Sequence, residues 1–359
     1  MHEVSLLSKA SKLNTVTRDT VSADTEIGRT MRVGVGQIRD LDSDRLRYIK
    51  QLGVKDVSVV VSSFSGTDFP LSDSAPWSVE ELVKFRNHFR DAGLRLVGFE
   101  IVPLEFYEKT IFDRTGKDQQ LDRFKETIRN IGRADIPLVG YYWLPDGVWR
   151  TSENKSVRGG AKTTAFELDA VANAPPTHDR EYTEAEFWEN YEYFLKEVLP
   201  VAEDAGVKLM LHPNDPPAEK LGGIPMLFRS FETIKRAMDL VPSESHGLLF
   251  CLGTWASMGA DLEKAIRHFG ERDKLFFVHF RNVVGSVPSF HETFVDDSDG
   301  YFDSHRILSV LQEVGFDGVM TPDHVPYMVG EDDWSLGGYR GRGFTVGYLK
   351  GQLDVINAE

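Results

Sequence analysis

Four residues of metal-binding type stand at equivalent points of four separate runs: His212 in LHPNDPP, Cys251 in LFCLG, His279 in VHFRN and Asp323 in TPDH. Each closes a short apolar or β-branched stretch, which places it at the C-terminal end of a strand. Two imidazoles, a thiol and a carboxylate make a mixed N, S and O donor set. Such a set suits a first-row divalent ion such as Mn, Fe, Co or Zn and matches Mg poorly. Singly, each residue has a plainer reading: a lone strand cysteine is usually a small buried hydrophobe, and a lone histidine a hydrogen-bonded structural residue. The shared placement is what argues for one ion. Of the other histidines, His2, His88, His178, His268, His291 and His305 fall in loops, helices or the N-terminal arm, and His246 opens its strand at the opposite end.

Ligands so far apart in sequence need a scaffold whose strand ends meet. From Arg32 onward, apolar runs alternate with amphipathic helical patterns, the signature of repeated βα units and a parallel sheet. The expected strands are 32–38 (RVGVGQI), 54–61 (VKDVSVVV), 95–100 (RLVGFE), 137–144 (PLVGYYWL), 208–213 (KLMLHP), 246–253 (HGLLFCLG), 274–280 (KLFFVHF) and 318–323 (GVMTPD), each followed by a helix. Leu52-Gly53, Ala92-Gly93, Ala205-Gly206 and Val314-Gly315 put glycine where a helix stops before a strand. Ser78-Val-Glu-Glu and Thr183-Glu-Ala-Glu fit capping boxes, and the last helix is expected over about 344–357. Eight such units point to an α/β chain with a polar arm over 1–30 and a single (β/α)8 TIM barrel over 31–359. A doubly wound open sheet would share the local pattern. Two connections, Pro145–Thr183 and His212–Ser230, are longer than a turn requires and follow strands four and five, on the side where barrel enzymes build active sites.

Composition narrows the partners. The 359 residues are 41% hydrophobic, enough for a large core. Asp and Glu number 56 against 41 Lys and Arg, a formal net charge of -15 that disfavours nucleic acid and anionic membrane surfaces. A small anionic substrate stays possible, because a bound ion and a few arginines set the potential inside a cleft. Cys251 is the only cysteine, so no intrachain disulfide forms. No signal-type run or apolar stretch of roughly 20 residues stands out. A cytoplasmic protein is the expectation.

The same residues carry a resemblance. HPNDPP at 212, C-L-G at 251–253, V-H-F-R-N at 278–282, F-H-E at 290–292, P-D-H at 322–324 and the terminal GGY and YLKG resemble the mannonate dehydratase family, in order over about 32–353, and W-R-T at 149–151 is similar to that family's strand-four loop. The family belongs among the xylose-isomerase-like barrels. The resemblance implies a hydro-lyase converting D-mannonate, or a closely related aldonate, to 2-keto-3-deoxy-D-gluconate in hexuronate breakdown, with one Mn2+ or Fe2+ per subunit. It implies His212, Cys251, His279 and Asp323 as ligands, His324 and Tyr339 as the catalytic acid/base pair, and Arg281 and Asn282 in substrate binding. A homo-oligomer, dimer or tetramer, with a sugar-acid substrate is the expected state. Asn214 stands where the family's run has an acid, and the loop over 149–169 differs from the family's.

Dehydrating a 2,3-dihydroxy acid means removing a weakly acidic proton beside a carboxylate and expelling hydroxide from the next carbon. A divalent ion on the carboxylate and adjacent hydroxyl eases both steps, and a positioned acid and base complete the set. Which of His324 and Tyr339 takes the proton stays open. Tyr339 could instead be an aromatic lid, and His324 a partner that orients a ligand. The planar fork of Arg281 fits a carboxylate, the alternative being a pair with one of the chain's many acids. Glu100, ending strand three, is a further carboxylate that could face the cleft. Competing readings are a sugar isomerase or epimerase of the same superfamily, which would present more carboxylates to the metal; a phosphodiesterase acting on DNA, disfavoured by charge; and a non-catalytic sugar-acid binding protein, which would keep Arg281 and lose ligands.

Overall fold

The computed structural model describes residues 30–62, 68–72, 74–331 and 338–358. The arm expected over 1–30 thus lies, Thr30 apart, outside the described residues. Each expected strand forms: β1 (Arg32–Val33, resuming as Val35–Ile38), β2 (Asp56–Val60), β3 (Arg95–Ile101), β4 (Leu138–Tyr142), β5 (Lys208–His212), β6 (His246–Cys251), β7 (Leu275–Phe280) and β8 (Val319–Pro322). Arg32 and Val33 pair in parallel with Val319 and Met320 of β8, whereas Val35 and Ile38 pair with Val57 and Val59 of β2. The first strand therefore has the last on one side and the second on the other. That closes the parallel sheet into a barrel and excludes the open doubly wound sheet.

Strand periodicity divides the core. Val97, Met210, Leu249, Phe277 and Val319 form a small inner cluster with Cys251, while their neighbours Leu209, Leu211, Leu248, Phe250, Val278 and Phe280 belong to the larger cluster shared with the helices. The longer helices among the described residues are α1 (Ser43–Gln51), α2 (Val79–Asp91), α3 (Lys117–Arg133), α4 (Glu184–Ala205), α5 (Phe231–Leu240), α6 (Leu262–Gly270), α7 (Ser304–Glu313) and α8 (Tyr339–Ile356). Ser78 with Glu81 and Thr183 with Glu186 make both capping boxes. Gly53, Gly93, Gly206 and Gly315 adopt φ of 72°, 78°, 67° and 73°, the left-handed turn that ends a helix and that a side chain would strain.

Expected boundaries shift, as where the strand expected over 246–253 ends at Cys251 and a short helix, Leu252–Ser257, takes over. Helix α8 starts at Tyr339 rather than near 344, because the glycine-rich start of weak helix propensity is held by tertiary contacts: Gly341 and Arg342 are buried, and Arg342 donates to Pro322 O at 3.2 Å and Gln37 Oε1 at 2.9 Å.

The long connections are also ordered. Segments Ser152–Ser156 and Lys162–Glu167 after β4 join Asn282–Ser286 and Ser289–Thr293 after β7 in a four-stranded antiparallel sheet, a lid on the side where the barrel strands end. Lys162 also bridges Tyr327 beyond β8. Among the described residues no helix is long and apolar enough to cross a membrane.

Candidate active site

Parallel pairing puts the ends of β5 to β8 at one rim. Cys251 sits opposite His279, and His279 opposite Thr321, two positions before Asp323. One donor atom each from His212, Cys251 and His279 lies within 4.8 Å of the other two. Asp323 adjoins them, its Oδ2 lying 3.5 Å from Cys251 Sγ and its Oδ1 3.6 Å from His279 Nδ1. All four are buried. Ligand atoms held about 2.0–2.3 Å from one ion are at most about 4.6 Å apart, so a cluster bounded at 4.8 Å would need to draw in only slightly around a single divalent ion. Ring orientation agrees: His212 Nδ1 is 2.6 Å from Pro213 O, which leaves Nε2 for a ligand bond, and His279 Nδ1 is buried without a well-formed hydrogen bond.

The local electrostatics fit a cation as well. Burial opposes charge on His279, but Asp323 and Glu100 outweigh it and hold its pKa well above the ordinary value. Burial would likewise raise Asp323, yet His324, His279 and Arg281 hold it well below the ordinary range. His212 is pushed down to about 3 by burial and by His279, which keeps it a neutral donor. The cluster thus holds a carboxylate charge and balances it with a proton where a metal could take over.

Glu100 lies behind His279 rather than in the open cleft. Its Oε2 is 2.9 Å from His279 Nε2, and its Oε1 accepts from Gln37 N at 2.7 Å and Ser58 Oγ at 2.5 Å. A carboxylate on the far nitrogen fixes ring tautomer and orientation, as at many metal-bound histidines. Gly36 makes room, since a Cβ there would fall 2.2 Å from Glu100 Oε1.

His324 leaves β8 beside Asp323, with Nε2 3.7 Å from Asp323 Oδ1 and Nδ1 2.5 Å from Glu292 Oε1. Arg281, fully covered, lies 2.9 Å from Asp215 Oδ2, 2.9 Å from Thr254 Oγ1, 3.2 Å from Glu292 Oε1 and 3.3 Å from Asp323 Oδ2. Its Nε alone has no partner. Arg150 grips both oxygens of Asp215 at 2.9 Å and reaches Glu292 at 2.9 Å. Asn282 donates to Phe302 O at 3.0 Å and accepts from Val283 N at 2.9 Å, tying the first residue of lid strand Asn282–Ser286 to the connection that leaves the lid for α7. Tyr339, half-buried at the start of α8, sets its hydroxyl 3.3 Å from Arg45 Nε and its ring edge-on to Tyr48.

Sequence reasoning missed several neighbours. Tyr142, ending β4, packs against the His212 ring at 4.3 Å with the planes tilted by 54°, and burial with the charges of Asp323 and Cys251 raises its pKa well above the ordinary value. Arg39, just after β1, feels burial first, then the opposing charges of Glu100, Tyr327 and Asp323. Arg150, Asp215 and Glu292 were visible only as letters of the W-R-T, HPNDPP and F-H-E runs. Asn214 itself donates to Trp143 O at 3.1 Å and accepts from Phe228 N at 2.7 Å, a double duty that an ionised acid could not perform.

The family model described as D-mannonate dehydratase (UxuA) matches residues 35–181 and 176–359. A mannonate dehydratase of Streptococcus pneumoniae (strain 70585) is 27% identical over 315 residues, 80% of this chain and 85% of that protein. One from Thermotoga petrophila is 28% identical over 354 residues, 88% of this chain and 95% of that protein. The crystal structure of mannonate dehydratase from Streptococcus suis serotype2 superposes with a TM-score of 0.81 at 27% identity, over 92% of this chain and 94% of that one. L-ribulose 3-epimerase, at 14% identity and a TM-score of 0.57 over 92% of this chain and 96% of that one, shares the barrel fold.

Proposed function

Because the chain belongs to the D-mannonate dehydratase family, we propose that it is a metal-dependent hydro-lyase that converts D-mannonate, or a closely related aldonate, to 2-keto-3-deoxy-D-gluconate in hexuronate breakdown. The observation that carries this reading is the convergence of His212, Cys251 and His279 within 4.8 Å, with Asp323 alongside and His324 next in the chain. These four residues would hold one Mn2+ or Fe2+, and a bound ion would supply Lewis acidity at the substrate carboxylate and its neighbouring hydroxyl.

The chain's own groups do the rest. His324 and Tyr339 are the proposed acid/base pair: one takes the C2 proton, the other protonates the departing C3 hydroxyl, water leaves, and the resulting enol becomes the 2-keto product. Arg281 would serve substrate binding from beside Asp323, where Asp215, Glu292 and Thr254 fix its guanidinium. Asn282 would serve substrate binding from the start of lid strand Asn282–Ser286, which it ties through Phe302 O to the connection before α7. A homo-oligomer in the cytoplasm is part of the same reading.

The test is to incubate protein reconstituted with Mn2+ or Fe2+ with D-mannonate and detect a 2-keto-3-deoxy acid. Turnover that needs the metal supports the reading. Full metal occupancy with no turnover of any aldonate would overturn it and favour the isomerase or binding-protein alternatives.

A further inference from the structure

We infer that Glu292 is the positioning residue for His324, and that Arg150 locks it there from the loop after β4. This deepens the proposed function and holds only with His324 as the proton-transfer group named above.

An imidazole has two nitrogens, and a carboxylate on one of them decides which remains for chemistry. Glu292 Oε1 lies 2.5 Å from His324 Nδ1, while Nε2 is directed at the ligand cluster, 3.7 Å from Asp323 Oδ1. Arg281 Nη1 also approaches Nδ1, at 2.9 Å. A guanidinium cannot accept a hydrogen bond and Nδ1 cannot donate and accept at once, so the shorter carboxylate contact fixes Nδ1 as donor and leaves Nε2 for the substrate.

Glu292 itself is fully determined. It is 1% exposed and lies between Arg150 at 2.9 Å and Arg281 at 3.2 Å, and Asp215 bridges the same two guanidiniums. Arg281 and Asp215 follow barrel strands β7 and β5, but Glu292 and Arg150 come from outside the barrel strands. Glu292 belongs to lid strand Ser289–Thr293 and Arg150 to the connection that feeds lid strand Ser152–Ser156. The lid therefore supplies the group that aims the barrel's histidine, and an unseated lid leaves that ring without its orienting carboxylate.

A double-mutant cycle on the metal-loaded enzyme decides this. Glu292→Gln should lower kcat for D-mannonate by about 10- to 100-fold, the usual cost of losing an orienting partner, with KM within about twofold and metal content unchanged. In a His324→Asn background the same substitution should leave the residual rate unchanged, because there is no longer a ring to aim. Equal losses in both backgrounds, or a loss that tracks metal content or Tm, would overturn the positioning role. If Glu292→Gln does not fold, Glu292→Asp carries the same cycle, since it keeps the charge between the arginines but withdraws the carboxylate by one methylene. His324→Asn at wild-type kcat with full metal would instead overturn His324 as the proton-transfer group.

Discussion

His279 is held from one side, with Nε2 2.9 Å from Glu100 Oε2, while Nδ1 faces Asp323 Oδ1 at 3.6 Å without a hydrogen bond. Glu100 therefore orients His279, a proposed metal ligand, from its far side. Glu100→Gln should weaken metal binding by about 10- to 100-fold while the barrel stays folded. Competition with a graded chelator, read by metal analysis, measures this. Wild-type affinity in the variant would mean that the Glu100 contact is only a satisfied core hydrogen bond.

Cys251 sits at the top of the inner barrel cluster, and both its core role and its ligand role are compatible with burial. Cys251→Ser separates them. A hydroxyl replaces a thiolate in the core at little cost but is a poor soft ligand, so metal content and turnover should fall together while Tm changes little. Full occupancy with normal turnover would leave Cys251 as packing alone.

Tyr339 stands at the start of α8 with its hydroxyl 3.3 Å from Arg45 Nε of α1. Tyr339→Phe removes the proton-transfer atom and keeps the edge-on packing with Tyr48. The expected outcome is full metal content and a kcat lower by about 100- to 10,000-fold. A near wild-type kcat would make the residue a packing contact and move half of the acid/base pair elsewhere.

The barrel was legible in the sequence because its signals are local. Glycine at positions 53, 93, 206 and 315 announces a left-handed helix end, and apolar runs such as LFFVHF announce strands. The cluster of His212, Cys251 and His279 was legible for the same reason, as metal-binding residue types at strand ends. The lid was not: Ser152–Ser156 reads SENKS, has no apolar residue and is exposed throughout, so only pairing with a distant segment makes it a strand. The charge cluster stayed hidden with it, since Arg150 and Glu292 meet only once the lid forms.

His246 makes stability depend on pH. It is fully buried against the hydroxyls of Tyr141 at 2.9 Å and Tyr191 at 3.3 Å, and burial, then the Lys274 cation, pushes its pKa down to about 3. The unfolded chain takes up a proton at about 6.5 that the folded chain refuses, so stability falls as pH drops from there toward 3, by up to about 1.4 kcal/mol per unit. His246→Gln keeps an acceptor for Tyr141 and cannot titrate. Between pH 7.5 and pH 5, urea unfolding should show the wild type losing roughly 2 kcal/mol more than the variant. Parallel losses would mean that the folded protein accommodates charged His246.

Substrate choice should separate from chemistry along the boundary between barrel and lid. The ligands and Arg281 lie on the barrel side, where the carboxylate and C2–C3 hydroxyls common to all 2,3-dihydroxy acids would bind. The distal hydroxyls then fall to the lid strands, within the segments 145–183 and 285–301. Phe166 and Phe290 pack at 5.7 Å across two of those strands, and Phe166→Ala should loosen that seam while leaving the ligands untouched. A site built to hydrogen-bond a particular hydroxyl discriminates by orders of magnitude, so a loosened lid should reduce the kcat/KM preference among C4 and C5 epimers by about tenfold or more. Measuring kcat/KM for D-mannonate and its C2 to C5 epimers in both proteins tests this. If Phe166→Ala lowers all of them by one common factor, the lid acts on catalysis alone, through Glu292, and the hydroxyls are read by the barrel rim.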